Sequence, residues 1–147
     1  MSALRAFVAG LMATLLAHQP ALWILQLAGL TERGPFALDP TSPLGVPAVV
    51  SLAFWGGLWG IPLWMIVRKR RGAGYWLTAA LFGAIAPTLV AAFVAAPLKG
   101  QAIPTGWSVA VTGLVVNAAW GLGTAAFLVL FARGASSRSA TAPPGSP

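Results

Sequence analysis

The chain has 147 residues, of which 58% are hydrophobic and only 7% are charged, and its mean hydropathy is +0.82. Because a soluble domain carries about 25% charged residues, this composition excludes an ordinary soluble globule and indicates a protein of the lipid bilayer. The absence of cysteine excludes a disulfide framework, a thiolate nucleophile and cysteine-based metal sites.

Four long intervals without charged residues predict four membrane-spanning helices. The uncharged intervals are residues 6–31, 40–67, 72–98 and 100–132. Each exceeds the roughly 20 residues that a helix needs to cross the hydrocarbon core. Trimmed at glycine, proline and polar edges, the predicted helices are about 4–30, 46–67, 75–96 and 107–132. The predicted fold class is therefore all-α, a four-helix transmembrane bundle over residues 1–133 followed by a disordered cytoplasmic tail over 134–147.

The first predicted helix begins like a secretory signal peptide, with Arg5 ahead of an apolar run. The apolar run continues to Leu30, and a small-residue cleavage pattern is missing near Ala17. We therefore expect the first helix to be retained.

The positive charges predict the orientation, since cytoplasmic loops carry an excess of Lys and Arg. With the N-terminus inside, seven cations are cytoplasmic, whereas Arg33 and Lys99 are outside. The seven are Arg5, Arg68, Lys69, Arg70, Arg71, Arg133 and Arg138. Both termini are predicted to be cytoplasmic, with Arg68, Lys69, Arg70 and Arg71 as the topology-determining residues. The net charge of +7 thus reflects membrane boundaries, and no nucleic-acid partner is expected.

Helix one carries a polar stripe at membrane depth. At 100° per residue an arc of about 140° contains Thr14, His18, Gln19 and Gln26. The polar residue expected to face this stripe is Asn117 in helix four. An ionisable residue at this depth suggests a functional site, so His18 could relay protons, line a solute path or ligate a haem or chlorophyll. The simpler alternative is a hydrogen bond between helices.

Helix two contains the densest packing motif of the chain. Gly56 and Gly60, four residues apart, form a flat strip on which another helix can approach closely, and Trp55 and Trp59 form an aromatic ridge beside it. The motif leaves open whether the partner helix belongs to the same chain or to another copy. Three prolines are expected to kink or locally open their helices, namely Pro20, Pro62 and Pro87.

Helices two and four align at a shift of 61 residues, which suggests a tandem two-helix repeat. Five identical pairs result, and they are Pro43 with Pro104, Gly45 with Gly106, Val50 with Val111, Trp59 with Trp120 and Gly60 with Gly121. Helices one and three align only at a shift of 67, which matches Pro20 with Pro87. A parallel repeat of this kind has its pseudo-twofold axis along the membrane normal.

The segment from Pro43 to Gly60, with His18 and Gln19 upstream, resembles small uncharacterised multi-pass inner-membrane proteins of bacteria. This resemblance spans roughly the first two helices and implies a bacterial inner-membrane location without implying an activity. The small dimeric four-helix multidrug transporters are similar in size and in number of spans. They depend on a carboxylate in the first helix, which this chain lacks.

The sequence thus predicts an integral membrane protein that is not an enzyme, holds no metal or other cofactor, and has the lipid bilayer as its partner. The leading hypothesis is a non-catalytic accessory or structural membrane subunit, assembled as a homodimer or within a larger membrane complex. One alternative is a dimeric small-solute or proton-coupled permease lined by His18, Gln19, Gln26 and Asn117. Another is a carrier of haem or pigment ligated by His18.

Overall fold

The computed structural model describes residues 2–42 and 44–140, with side chains through Gly134. The chain is mostly helical (76%). Its four long helices are α1 (Ala3–Leu27), α2 (Ala48–Val67), α3 (Gly72–Leu98) and α4 (Trp107–Ala140). By length and composition, all four are apolar enough to cross a membrane. The four predicted helices are therefore confirmed, and they indicate a multi-pass membrane protein.

The predicted helix boundaries lie close to the observed ones, with the largest difference at the end of α4. This helix continues through Ala140, whereas the predicted helix stops near residue 132. The predicted disordered tail, 134–147, therefore begins inside α4, and its residues 141–147 lie outside the described residues. Pro43, used in the repeat alignment and in the resemblance, also lies outside them.

Helices α1 and α2 form an antiparallel pair whose backbones touch. A Cβ atom added to Gly10 would lie 3.0 Å from the Cα of Gly60, and one added to Gly60 would lie 3.1 Å from the Cα of Gly10. Ala6 is one turn before Gly10, and its carbonyl oxygen also faces Gly60. Small residues at a spacing of four therefore pair on both helices. The glycine motif of α2 finds its partner helix within the same chain.

Helices α3 and α4 form a second antiparallel pair built in the same way. A Cβ atom on Gly83 would lie 2.9 Å from the Cα of Gly121, and one on Gly121 would lie 3.1 Å from the Cα of Gly83. Ala79, one turn before Gly83, takes the position that Ala6 takes in α1. Nearer the start of α3, the Tyr75 hydroxyl donates a hydrogen bond to the Ala125 carbonyl oxygen at 2.9 Å.

The two helix pairs join mainly through α1 and α4. The indole Nε1–H of Trp120 donates to the Gly10 carbonyl oxygen at 2.9 Å, and a Cβ atom on Gly123 would lie 3.3 Å from the Ala13 Cβ. Between α2 and α3, the rings of Trp59 and Phe82 pack edge to face at 5.9 Å. The main buried core consists of Ala6, Ala9, Ala13, Leu63, Val67, Ala79, Trp120, Ala125 and Leu128.

The bundle has two chemically different ends, and its helices are unequally covered. We call the end that carries Arg68–Arg71 the arginine end. The opposite end, where β1 (Pro40–Thr41) pairs antiparallel with β2 (Val46–Pro47), is the hairpin end. Of the residues in the most apolar stretch of each helix, 39% are buried in α1 but only 17% in α3. Helix α3 thus presents most of its apolar surface to the surroundings of the bundle.

We predict that Gly60→Ala and Gly121→Ala each lower the free energy of unfolding by about 1–3 kcal/mol, because the added methyl group overpacks a backbone contact. The measurement is an unfolding titration of the full chain in mild detergent, followed by circular dichroism. Gly74→Ala is the matched control, since a Cβ atom there meets nothing within 4 Å. Equal stability of all four proteins would contradict the close-packing argument.

Candidate functional site

The polar stripe of α1 begins in a widened helical turn. Residues Thr14–His18 form a π-helical segment, in which the Gln19 N–H donates to the Thr14 carbonyl oxygen five residues back. Pro20 follows, and its ring cannot be accommodated against the carbonyl group four residues before it in a regular α-helix. The extra residue of the π turn relieves this clash. Such turns occur frequently at functional sites.

The same arrangement occurs near the end of α3. Residues Ala91–Ala95 form a second π-helical segment, and the Ala96 N–H donates to the Ala91 carbonyl oxygen. Pro97 follows this segment by two residues, as Pro20 follows the first. The π-helical segment before Pro20 in α1 agrees with the prediction that this proline locally opens its helix. Pro62 and Pro87, in contrast, lie within stretches of α-helix.

His18 is a buried residue of the stripe with a ring nitrogen that is unpartnered within the described part of the chain. Its side chain is 8% exposed, and its buried Nδ1 atom has no hydrogen-bond partner among the described residues. Thr14, one turn earlier, is also buried, and its hydroxyl donates to the Gly10 carbonyl oxygen at 3.0 Å. The imidazole is therefore held inside the bundle, whereas the threonine is satisfied by its own helix.

Gln19 fastens the first loop to α1. Its Oε1 atom accepts a hydrogen bond from the backbone N–H of Phe36 at 2.7 Å, across 17 residues of sequence. Phe36 has a φ of 54°, a left-handed conformation that non-glycine residues adopt infrequently. The Gln19 side chain is buried beneath this contact. The loop thus folds back along α1 instead of extending away from it.

The folded loop in turn supports the start of α2. The N–H groups of Ala48 and Val49 donate to the carbonyl oxygens of Asp39 and Ala37 at 3.0 and 2.9 Å. These bonds satisfy two of the donors that every helix start leaves unpaired. The Thr41 hydroxyl donates to the Val46 carbonyl oxygen at 2.8 Å and closes the small hairpin.

The structure does not gather all the predicted polar residues into one site. Gln26 is half-buried, and its amide lies beside Gly34 of the loop. The Asn117 Nδ2 atom donates to Thr88 Oγ1 of α3 at 2.9 Å, so this amide is used between α3 and α4. The sequence analysis did not identify Thr88 as the partner of Asn117. Thr88 lies in the helix that directly precedes α4 in the chain, and consecutive helices usually lie side by side.

The predicted packing residues of α2 have different surroundings. Gly56 faces Thr14 of α1, and a Cβ atom there would lie 3.1 Å from the Trp120 Nε1 atom. Trp59 is partly buried, but Trp55 is 57% exposed and forms no ridge against a helix within the bundle. It contacts its sequence neighbour Phe54 with ring centres 6.0 Å apart.

The four topology-determining residues all lie exposed between α2 and α3. The Arg68 guanidinium stacks over the Trp64 ring, 5.4 Å from its centre. Elsewhere in the described part of the chain, no group of three or more His, Cys, Asp or Glu side chains could hold a metal ion.

The chain matches no protein-family model, no curated protein sequence and no solved structure. The interpretation of the site therefore depends on its geometry. That geometry consists of a buried imidazole in a π turn, a glutamine that fixes a folded loop, and an asparagine engaged elsewhere.

We predict that Gln19→Leu releases the loop from α1, because the Phe36 N–H loses its acceptor. A typical hydrogen bond contributes about 0.5–1.5 kcal/mol, so amide exchange at Phe36 should become about two- to tenfold faster. Hydrogen exchange of the detergent-solubilised chain measures this. Leu27→Ala, at an exposed position of the same helix, should leave the rate unchanged, and an equal effect of both variants would show that general loosening is responsible.

Proposed function

We propose that this chain is a non-catalytic accessory or structural subunit of a membrane assembly. The observation that carries the proposal is the use of the intramembrane polar groups. Thr14 and Thr124 donate to carbonyl oxygens of their own helices, Trp120 joins α1 to α4, and Asn117 joins α3 to α4. These bonds stabilise a bundle, whereas a solute path needs polar groups that converge on one passage.

The alternative of a proton-coupled permease is favoured by one observation, the unpartnered Nδ1 atom of His18. A neutral imidazole has one donor and one acceptor nitrogen, and this buried ring leaves its Nδ1 atom unused among the described residues. The distribution of the other polar groups favours the subunit. Gln19 is engaged with the loop and Asn117 with α3, so neither side chain is available beside His18.

We place the chain in the bacterial inner membrane with both termini in the cytoplasm. The support for this orientation is the charge count, seven cations at the arginine end and tail against two at the hairpin end. Both acidic residues, Glu32 and Asp39, belong to the loop at the hairpin end. The bacterial inner membrane as the location follows from the resemblance to small multi-pass proteins.

We also infer that the two helix pairs are a tandem repeat. The shift of 61 residues relates Gly60 to Gly121, and these glycines have matching contacts with Gly10 and Gly83. Trp59 and Trp120, related by the same shift, both reach the first helix of the other pair. Trp120 bonds to Gly10, and Trp59 packs on Phe82, the neighbour of Gly83.

The packing contacts favour a different alignment of helices one and three. Ala6 and Gly10 correspond to Ala79 and Gly83 at a shift of 73 residues, instead of the 67 that matches Pro20 with Pro87. The π-helical segments correspond at a shift of 77. In α3 the π turn therefore lies one helical turn farther from the packing glycine than it does in α1.

The orientation predicts the labelling of single cysteines, which is straightforward because the chain has none of its own. In intact cells with a permeabilised outer membrane, a membrane-impermeant maleimide should label Ala37→Cys and Gln101→Cys. It should label Ala73→Cys only after the inner membrane is opened. The reverse pattern would contradict the proposed topology.

The subunit role predicts that the gently solubilised native protein is colourless and elutes together with larger membrane subunits. His18→Gln should co-elute with the same subunits, because glutamine also tolerates a buried polar position. An absorption spectrum and a size measurement from one purification test both points. A Soret or chlorophyll band that His18→Ala abolishes would establish a pigment carrier. A colourless chain without partners that loses proton flux in liposomes on His18→Ala would establish the permease.

A further inference from the structure

A groove lies on the uncovered side of α3, against the end of α2. Its volume is about 530 Å³. The α3 wall follows one helical stripe with residues three and four positions apart, and the opposite wall is provided by Ile66 and Arg70. The α3 residues are Gly74, Leu77, Thr78, Leu81, Phe82, Ile85 and Ala86.

We propose that this groove binds an anionic phospholipid, with one acyl chain along α3 and the phosphate at Arg70. The proposal concerns a different surface from the π-turn site and is independent of the subunit role.

The length of the groove fits one leaflet. From Gly74 to Ala86 the helix rises about 18 Å at 1.5 Å per residue. The hydrocarbon core is about 30 Å thick, so one leaflet contributes about 15 Å. The groove therefore spans the depth reached by the acyl chains of the leaflet at the arginine end.

The charge at the groove mouth fits an anionic head group. Arg70 lines the groove, and Lys69 and Arg71 are its exposed neighbours. The two acidic residues of the chain lie in the loop at the other end of α2, about 30 Å away along a helix of 20 residues. Both acidic residues of the chain therefore lie at the hairpin end, so a lipid phosphate would provide the negative charge opposite Arg70 at the arginine end.

The interior of the groove fits an acyl chain. Leu77, Leu81 and Ile85 are about half exposed, although they are large and apolar. Gly74 leaves open space at the mouth, since a Cβ atom there meets nothing within 4 Å. On the opposite face of α3, Gly83 and Ala79 pack against α4, and of the groove-lining residues Phe82 also packs on Trp59 of α2.

Native mass spectrometry of the full chain tests the proposal, with phosphatidylglycerol and phosphatidylcholine of identical acyl chains as probes. A cation near the membrane surface attracts an anionic lipid by an amount that corresponds to about fivefold in affinity. We expect the wild-type chain to retain one phosphatidylglycerol with about fivefold preference. Arg70→Gln should abolish most of this preference, whereas Arg71→Gln, which removes the same charge outside the groove, should keep most of it.

Gly74→Leu tests the acyl-chain part, because a Cβ atom there meets nothing within 4 Å and the longer side chain would extend into the groove. It should lower the retention of both lipids several-fold, and Ala73→Leu, one residue away and outside the groove lining, should not. Equal effects of Arg70→Gln and Arg71→Gln would overturn the proposal in favour of general electrostatic attraction. Conversion of a dimer to a monomer by Gly74→Leu, with lipid retention unchanged, would overturn it in favour of a second copy.

Discussion

The backbone contact at Gly10 is the constraint on which the rest of the bundle depends. In lipid, apolar side chains gain little by contacting each other instead of acyl chains, so helix association needs close packing and hydrogen bonds. Gly10 provides both. Its missing side chain lets the Gly60 backbone approach, and its carbonyl oxygen accepts hydrogen bonds from Thr14 and Trp120. One peptide group thus connects α1 with both α2 and α4.

The folded first loop follows from the same requirement for satisfied polar groups. Backbone that folds back to membrane depth must find hydrogen-bond partners within the protein, because the hydrocarbon core offers no water. Gln19 supplies an acceptor to Phe36, and the loop carbonyls of Ala37 and Asp39 accept from the start of α2. The polar residues of α1 are therefore divided between two tasks. Thr14 lies at the helix contact and Gln19 holds the loop, while His18 lies between them with one atom unpaired.

The sequence predicted the features that depend on composition and local spacing. The uncharged intervals located all four helices. Gly56 and Gly60 were predicted to form a packing surface, and in the structure both lie against α1. The partner of that surface could not be predicted, because the small-residue pair of Ala6 and Gly10 is one of many such pairs in this Ala- and Gly-rich chain and the contact joins residues far apart in sequence. The pairing of Asn117 depends on the rotation of α4, which a single amide does not determine. The cytoplasmic location of the termini stays a prediction from charge.

The difference between Gly56 and Asn117 distinguishes the packing of the two helix pairs. The shift of 61 residues relates these two positions, and each lies one turn before the packing glycine of its helix. At Gly56 the absent side chain leaves room for Thr14 and the Trp120 ring, so α4 is drawn against α1. At Asn117 the side chain is an amide that bonds to Thr88. Trp59, which the same shift relates to Trp120, packs edge to face on Phe82 of α3. Helices α2 and α3 thus meet through aromatic side chains at this point, and the groove lies beside the contact, with Phe82 in its lining.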